Sequence, residues 1–150
     1  VGSGVRLWRA YLSAPASADA PAVNARDRIG RGPWMNARGI QIAASIEELH
    51  SENVNLTRDT ALTEKGGTVA PNRHDILTGS NPDGTLATGS DVTCNGWTSH
   101  GEGRAMVGHH NRYGGGRGDS WNSAHLSRAC SQAALRASLG DALLYCFAAD

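Results

Sequence analysis

The sequence predicts one loop-rich α+β domain, with an antiparallel core of short strands and short helices on its flank. Its 150 residues are enough for a single domain that buries most of its apolar surface, and too few to favour two independent domains. Nineteen glycines, many of them in turn-forming clusters such as 79–85, interrupt the chain too often for long helices. The apolar segments that remain are short and have either strand or helix spacing.

Strands are predicted at both ends of the chain. Segment 5–13 (VRLWRAYLS) alternates bulky apolar with polar side chains, which predicts a strand with one buried face and Trp8 in the core. Segment 14–22 is rich in small residues and predicts a loop. Segment 142–147 (ALLYCF) is apolar, aromatic and short, so we expect one buried strand that ends the chain.

Helices are predicted at two places between these strands. Segment 40–50 (IQIAASIEELH) has isoleucine and leucine at helical spacing and predicts a short helix. A second helix is expected over 131–139, with Gly140 as its C-cap. No internal repeat and no interdomain linker interrupts the sequence, so 1–150 is taken as one domain.

The charge balance argues against two classes of partner. Fourteen basic and fourteen acidic residues cancel, so no long-range field attracts nucleic acid or an anionic membrane. No segment approaches the roughly 20 apolar residues that a bilayer crossing needs. We therefore expect neither a nucleic-acid partner nor a membrane span.

The three cysteines are Cys94, Cys130 and Cys146, and none has the close spacing of a motif such as C-x-x-C. The simplest interpretation is one structural disulfide and one remaining thiol. A loop-rich chain with few aromatic residues needs covalent support, which indicates an oxidising compartment and a secreted, extracellular or periplasmic protein. In an exported protein an odd cysteine indicates an intermolecular bond, a free thiol or a partner outside the chain.

The densest group of polar residues contains four of the six histidines. In one interpretation His74, His109 and His125 supply imidazoles and Asp75 a carboxylate to a metal ion. In the alternative, these residues hydrogen-bond to buried loop backbone, as a loop-rich fold requires. Adjacent residues of an extended chain point opposite ways, so only one of His109 and His110 is expected to face any one site.

A hydrolase is the less favoured interpretation of the same residues. Ser120 or Ser123 would be the nucleophile, with His125 and Asp75 as partners. The sequence has no G-x-S-x-G elbow and no recognisable oxyanion device. We therefore predict that the protein is not an enzyme.

The remaining tryptophans have two interpretations. Trp34, Trp97 and Trp121 could stack on sugar rings through their aromatic faces. A chain with a single phenylalanine must also use tryptophan in its core, so core positions are favoured for all three.

Several motifs follow one another in an order that resembles C-type-lectin-like domains. The second half runs Cys94-x-x-Trp97, then Trp121-Asn122-Ser123, then Cys130, then a final Leu-Tyr-Cys-Phe around Cys146. Segments that resemble endostatin are, in the same order, 9–13, 23–27, 79–84 and 93–97. Segments 74–80, 107–110 and 120–123 resemble bacterial secreted proteins that are labelled lectins.

The resemblance implies a C-type-lectin-like (endostatin-like) fold with nested disulfides. It pairs Cys94 with Cys130 and leaves Cys146 to a cysteine in an N-terminal helix that this sequence lacks. A protein partner bonded through Cys146, outside this chain, is therefore expected.

The resemblance also raises calcium as a cofactor. Lectins of this fold hold calcium through a long loop and a W-N-D motif, to which Asn81, Asp83 and Asn122 correspond here. Ser123 stands where the motif has a carboxylate, and a hydroxyl lacks the charge that a hard cation prefers. These three residues are accordingly weak calcium candidates.

The function implied is non-catalytic binding of a glycan or matrix polysaccharide by a secreted bacterial module. The alternatives are a structural or protein-binding subunit of an extracellular assembly and, less favoured, a metal-dependent enzyme. The residues expected to face the ligand are His74, Asp75, His109, Arg112, Trp121, Asn122 and His125.

Overall fold

Short strands and helices joined by long turns make up the protein, whose computed structural model describes residues 6–112 and 119–150. The strands are β1 (Trp8–Ala10), β2 (Trp34–Met35), β3 (Gln41–Ala43), β4 (Asp75–Leu77), β5 (Met106–His109), β6 (His125–Leu126), β7 (Gly140–Leu143) and β8 (Cys146–Ala148). The helical segments are α1 (Ala25–Arg28), α2 (Ile46–Leu49), α3 (Cys94–Trp97) and α4 (Gln132–Ala137). None of these described helices has the length and apolarity that a bilayer crossing requires.

The strands form three small sheets. β1 pairs with β8 and β2 with β3, both antiparallel, so the first sheet joins the two ends of the described chain. The largest sheet has the order β6-β5-β4-β7, and only its β4–β7 pair is parallel. The α+β class with mainly antiparallel pairing is therefore confirmed.

The two terminal strands differ from the prediction in detail. Strand β1 is shorter than segment 5–13, whose first residue, Val5, lies outside the described residues. Trp8 is 46% exposed, so its expected core position is wrong. β1 lies in a two-stranded ribbon, and the first fully buried side chain is Tyr11, just beyond the strand. The alternation of apolar and polar residues in segment 5–13 predicted the strand. It did not predict which of these side chains other parts of the protein bury.

The single strand expected over 142–147 is also wrong. The chain forms β7, breaks at Leu144 and Tyr145, and continues as β8 in a different sheet. Leu144 is exposed and Phe147 is buried. A short apolar run carries no information about which sheet each half joins.

The helix expected over 40–50 exists only in its second half. Residues Gln41–Ala43 form β3, and α2 begins after Ser45, whose hydroxyl accepts a hydrogen bond from the Glu48 amide. Glu48 Oε2 in turn accepts one from the Ala44 amide. This reciprocal capping stops α2 from extending toward the N-terminus.

The helix expected over 131–139 is confirmed as α4, with Ser131 as its N-cap. The predicted C-cap is wrong, because Leu139 has the positive φ of 66° and Gly140 already begins β7. A Cβ on Gly140 would come within 3.2 Å of the Asp75 Cβ. The glycine therefore allows β7 to pack closely against β4.

An aromatic cluster fills the main core. Tyr11, Trp34, Trp121 and Phe147 are all buried in it, and Tyr11 and Trp121 have ring centroids 4.8 Å apart. The predicted core positions of Trp34 and Trp121 are confirmed. Trp97 is half-buried and donates its indole N–H to the Ser13 carbonyl.

The disulfide implied by the resemblance is present. Cys94 and Cys130 are bonded with their Cα atoms 5.7 Å apart, and both are buried next to Ala105. Cys146 is free and exposed within the described chain. A disulfide is compatible with the expected oxidising compartment.

Candidate functional site

The four-stranded sheet brings three histidines and one aspartate together. Asp75 begins β4 and lies directly opposite His109 of β5. His125 begins β6 and pairs with Val107, which places it diagonally beside His109. His74 precedes Asp75, and its ring stacks on the His109 ring with centroids 4.4 Å apart. We call these four residues, His74, Asp75, His109 and His125, the histidine cluster.

Three imidazole nitrogens converge on one carboxylate oxygen in this cluster. Nε2 of His74 and Nε2 of His109 each lie 3.2 Å from Asp75 Oδ1, and His125 Nε2 lies 3.5 Å from it. The Nε2 atoms of His109 and His125 are 3.0 Å apart. Candidate ligand atoms of His74, Asp75 and His109 all lie within 4.8 Å of one another. The fold thus brings together the four residues of the metal hypothesis.

The carboxylate at the centre is deeply buried. Asp75 is 3% exposed, and neither of its oxygens has a hydrogen-bond partner among the described residues. The three imidazoles lie at ion-pair distance but are not aligned as donors. A buried carboxylate without donors is costly, so each such group requires an explanation.

The outer histidine is held by its own backbone. His125 Nδ1 lies 3.0 Å from the Leu126 carbonyl oxygen, which can only accept, so Nδ1 donates to it and Nε2 is the nitrogen that faces the cluster. Burial, with a smaller effect of the neighbouring His109, lowers the pKa of His74. The lowered pKa of His74 favours its neutral imidazole, which is the form that binds metals.

His110 does not belong to the cluster. It follows β5 and is only 2% exposed, with both ring nitrogens lacking a hydrogen-bond partner among the described residues. Burial lowers its pKa. The expectation that only one of the two adjacent histidines faces the site agrees with this placement.

A groove of about 720 Å³ opens beside the histidine cluster. His125 belongs to both, since it lines the groove with a side chain that is 43% exposed. The remaining lining is mainly polar and comes from loops on both sides: His50, Ser51, Glu52, Asn81, Pro82, Thr88, Met106, Arg112 and the rest of 119–126.

Three of the expected ligand-facing residues line the groove but are occupied by structural contacts. Arg112 donates from Nε to the Leu56 carbonyl and from Nη2 to the Val54 carbonyl. Trp121 is buried and donates its indole N–H to the Leu49 carbonyl. Asn122 is buried too, and its Nδ2 lies 2.9 Å from the Tyr11 hydroxyl. These residues shape the groove and offer few free polar groups to a ligand.

The three calcium candidates are engaged within loops. Asn81 Nδ2 donates to the Leu86 carbonyl, and Asp83 Oδ1 accepts from the Thr85 amide and hydroxyl. Asn122 Oδ1 accepts from the Ser120 hydroxyl. Calcium binding there stays a prediction.

One of the two serines of the hydrolase interpretation, Ser120, has a structural use. Ser120 Oγ donates to Asn122 Oδ1 at 3.0 Å and accepts from the Ser123 amide at 3.0 Å. These contacts form a hydroxyl-capped turn of the kind serine makes in loops.

A chain of hydrogen bonds that the sequence did not predict lies below the groove. Tyr11 OH lies 2.7 Å from His50 Nε2, and His50 Nδ1 lies 2.8 Å from the Ile46 carbonyl. Because the Ile46 carbonyl can only accept, His50 Nδ1 must donate to it, and His50 Nε2 then accepts from the Tyr11 hydroxyl. The Tyr11 hydroxyl in turn accepts from Asn122 Nδ2. The alternation of 5–13 could have indicated a buried Tyr11, but no local signal joins it to residues 39 and 111 positions away.

No family model matches the sequence, and no curated protein is significantly similar to it. The interpretation of the site therefore depends on its geometry and on the motif order described above.

Proposed function

We propose that this chain is a secreted, non-catalytic binding module of the C-type-lectin-like fold, and that it binds a glycan in the groove. One observation carries the proposal. The seven residues expected to face a ligand come from distant parts of the chain, yet four line the groove and the other three lie directly behind His125. The Cys94–Cys130 bond also agrees with the disulfide that this fold implies.

The lining of the groove suits a sugar. Glu52, Thr88 and His125 are exposed and supply donors and acceptors for hydroxyl groups. Met106 and Leu126 give the same groove an apolar patch against which C–H groups can pack. Ligand sites commonly combine apolar contact area with a few placed polar groups.

A glycan array on the folded protein, with and without calcium, tests the proposal. We expect selective binding that Glu52→Ala and Thr88→Ala each weaken by about tenfold, a loss of about 1.4 kcal/mol. His100→Ala, at an exposed position outside the groove, is the matched control and should bind like the wild type. A folded protein that binds no glycan under either condition would contradict the proposal.

A second candidate function is that of a subunit joined to another protein, and Cys146 is the observation that favours it. Its thiol is free and exposed on β8, at the end of the β1–β8 ribbon. Intact mass and thiol titration of the natively isolated protein distinguish the two: a bonded peptide at Cys146 favours assembly, and a free thiol favours the independent module.

A further inference from the structure

The unexplained feature of the histidine cluster is the buried carboxyl group of Asp75. Its side chain is 2% exposed, and neither oxygen accepts a hydrogen bond from a described residue. Burying an ionised carboxylate without a partner is so unfavourable that such groups are normally paired with a cation or bound to a metal. Arginine and lysine supply no partner here, since the described groups nearest to Asp75 Oδ1 are the three imidazoles.

The imidazoles around Asp75 do not supply the missing hydrogen bonds in this geometry. His125 holds its Nδ1 against the Leu126 carbonyl, which leaves Nε2 as the nitrogen that faces Asp75 Oδ1, at 3.5 Å. His109 can donate its Nε2 proton to His125 at 3.0 Å, and it then has none on Nε2 for Asp75. Three imidazole nitrogens and one carboxylate oxygen thus lie close together with no hydrogen bond to the carboxylate from a described residue, which is the arrangement of a ligand set around an ion.

The separations between these atoms fit a single ion. Four of the six separations between the candidate ligand atoms are 3.2, 3.2, 3.5 and 3.0 Å, and the ligand atoms of His74, Asp75 and His109 all lie within 4.8 Å of one another. Zinc bonds of 2.0–2.1 Å in tetrahedral geometry place neighbouring ligand atoms about 3.3 Å apart. The four short separations match this spacing, and side-chain rotation would have to bring the more distant ligand atoms to it.

We propose that His74, Asp75, His109 and His125 bind one divalent transition-metal ion of the zinc class. Three imidazoles and one carboxylate are typical zinc ligands, whereas calcium and magnesium prefer oxygen donors throughout. The Leu126 carbonyl that holds His125 Nδ1–H is the kind of outer contact that orients a metal-binding histidine. The site lies at the edge of the groove but does not depend on glycan binding there.

Metal titration tests the proposal with zinc alone. After chelator treatment, we expect calorimetry to show one Zn²⁺ per chain, both for the wild type and for Cys146→Ser, which removes the free thiol as a competing ligand. Asp75→Asn and His109→Ala should lose this binding, and His100→Ala should keep it. Absence of stoichiometric binding in the wild type, or unchanged binding in both cluster variants, would overturn the proposal.

The stability of metal-free Asp75→Asn separates a metal ligand from a residue that only supports the fold. If Asp75 is a metal ligand that has no partner in the metal-free protein, its replacement by asparagine removes an unfavourable buried group. The urea midpoint of the metal-free variant at pH 8 should then equal or exceed that of the metal-free wild type. Zinc should then raise the midpoint of the wild type but not that of the variant. A lower midpoint for the metal-free variant would contradict the proposal.

A measurement on the wild type avoids any variant that fails to fold. Substoichiometric Co²⁺ should broaden or shift the imidazole ring signals of His74, His109 and His125 in the NMR spectrum. The His100 signals should be unchanged and serve as the internal control. Cobalt effects confined to His100, or none on any histidine, would count against the site whatever the outcome of the glycan array.

Discussion

At the residue scale, the buried hydroxyl of Tyr11 joins two parts of the structure. It is fully buried, accepts from Asn122 below the groove and donates to His50 after α2. Burial raises the pKa of Tyr11 well above its ordinary value, and burial lowers the pKa of His50. Both groups therefore stay neutral near pH 7, which is the state that the chain of hydrogen bonds requires.

Tyr11→Phe should lower the free energy of unfolding by about 1–2 kcal/mol, because it removes the hydrogen bond to His50 Nε2 and one of the three that Asn122 Nδ2 donates. Tyr145→Phe is the matched control: the Tyr145 hydroxyl is buried without a hydrogen-bond partner among the described residues, so its removal should be neutral or slightly stabilising. Urea unfolding of both variants measures the difference. If both variants lost the same free energy of unfolding, the hydrogen bonds of the Tyr11 hydroxyl would not contribute to stability.

At the scale of elements, the close approach of β5 to the segment after 118 positions the site. Gly108 lies in β5 between Val107 and His109, and a Cβ there would overlap the backbone of Trp121 and Asn122. The His109 amide donates to the Ser120 carbonyl, and the Ala124 amide to the Val107 carbonyl. The contact between β5 and this segment places the wall of the groove next to the histidine cluster.

Gly108→Ala should therefore cost about 3 kcal/mol or more, because neither backbone can move without breaking the sheet. Gly101→Ala is the control, since no atom lies within 4 Å of its added Cβ, and its effect should be within about 0.5 kcal/mol. Chemical denaturation followed by tryptophan fluorescence gives both values. A Gly108→Ala protein as stable as the control would mean that the two segments are not in close contact.

At the scale of the whole molecule, the disulfide fixes the part of the chain that carries the site. The bond joins residues 36 positions apart, and the enclosed segment contains β5 and β6 with His109 and His125. The strands of this molecule are two to four residues long, so ladder hydrogen bonds alone provide little cooperative stability.

Replacing Cys94 and Cys130 together by alanine should lower the free energy of unfolding by about 4 kcal/mol on the chain-entropy account of a loop this size. Cys146→Ser removes an exposed thiol and should change it by less than about 0.5 kcal/mol. Urea unfolding with and without reductant measures both effects. A reductant-sensitive loss in the double variant would show that another disulfide stabilises the protein.

By itself, the sequence determined the features that depend on local chemistry. Turn-forming clusters excluded long helices, the 5–13 alternation indicated the strand that contains Trp8–Ala10, and the residue types of His74, Asp75, His109 and His125 already suggested metal ligands. The tertiary structure alone decided that Asp75 lies opposite His109, that Trp8 is exposed, and that segment 142–147 divides between two sheets. The physical reason is that local patterns reflect backbone preferences over a few residues. Strand register and burial depend instead on packing between segments far apart in the chain.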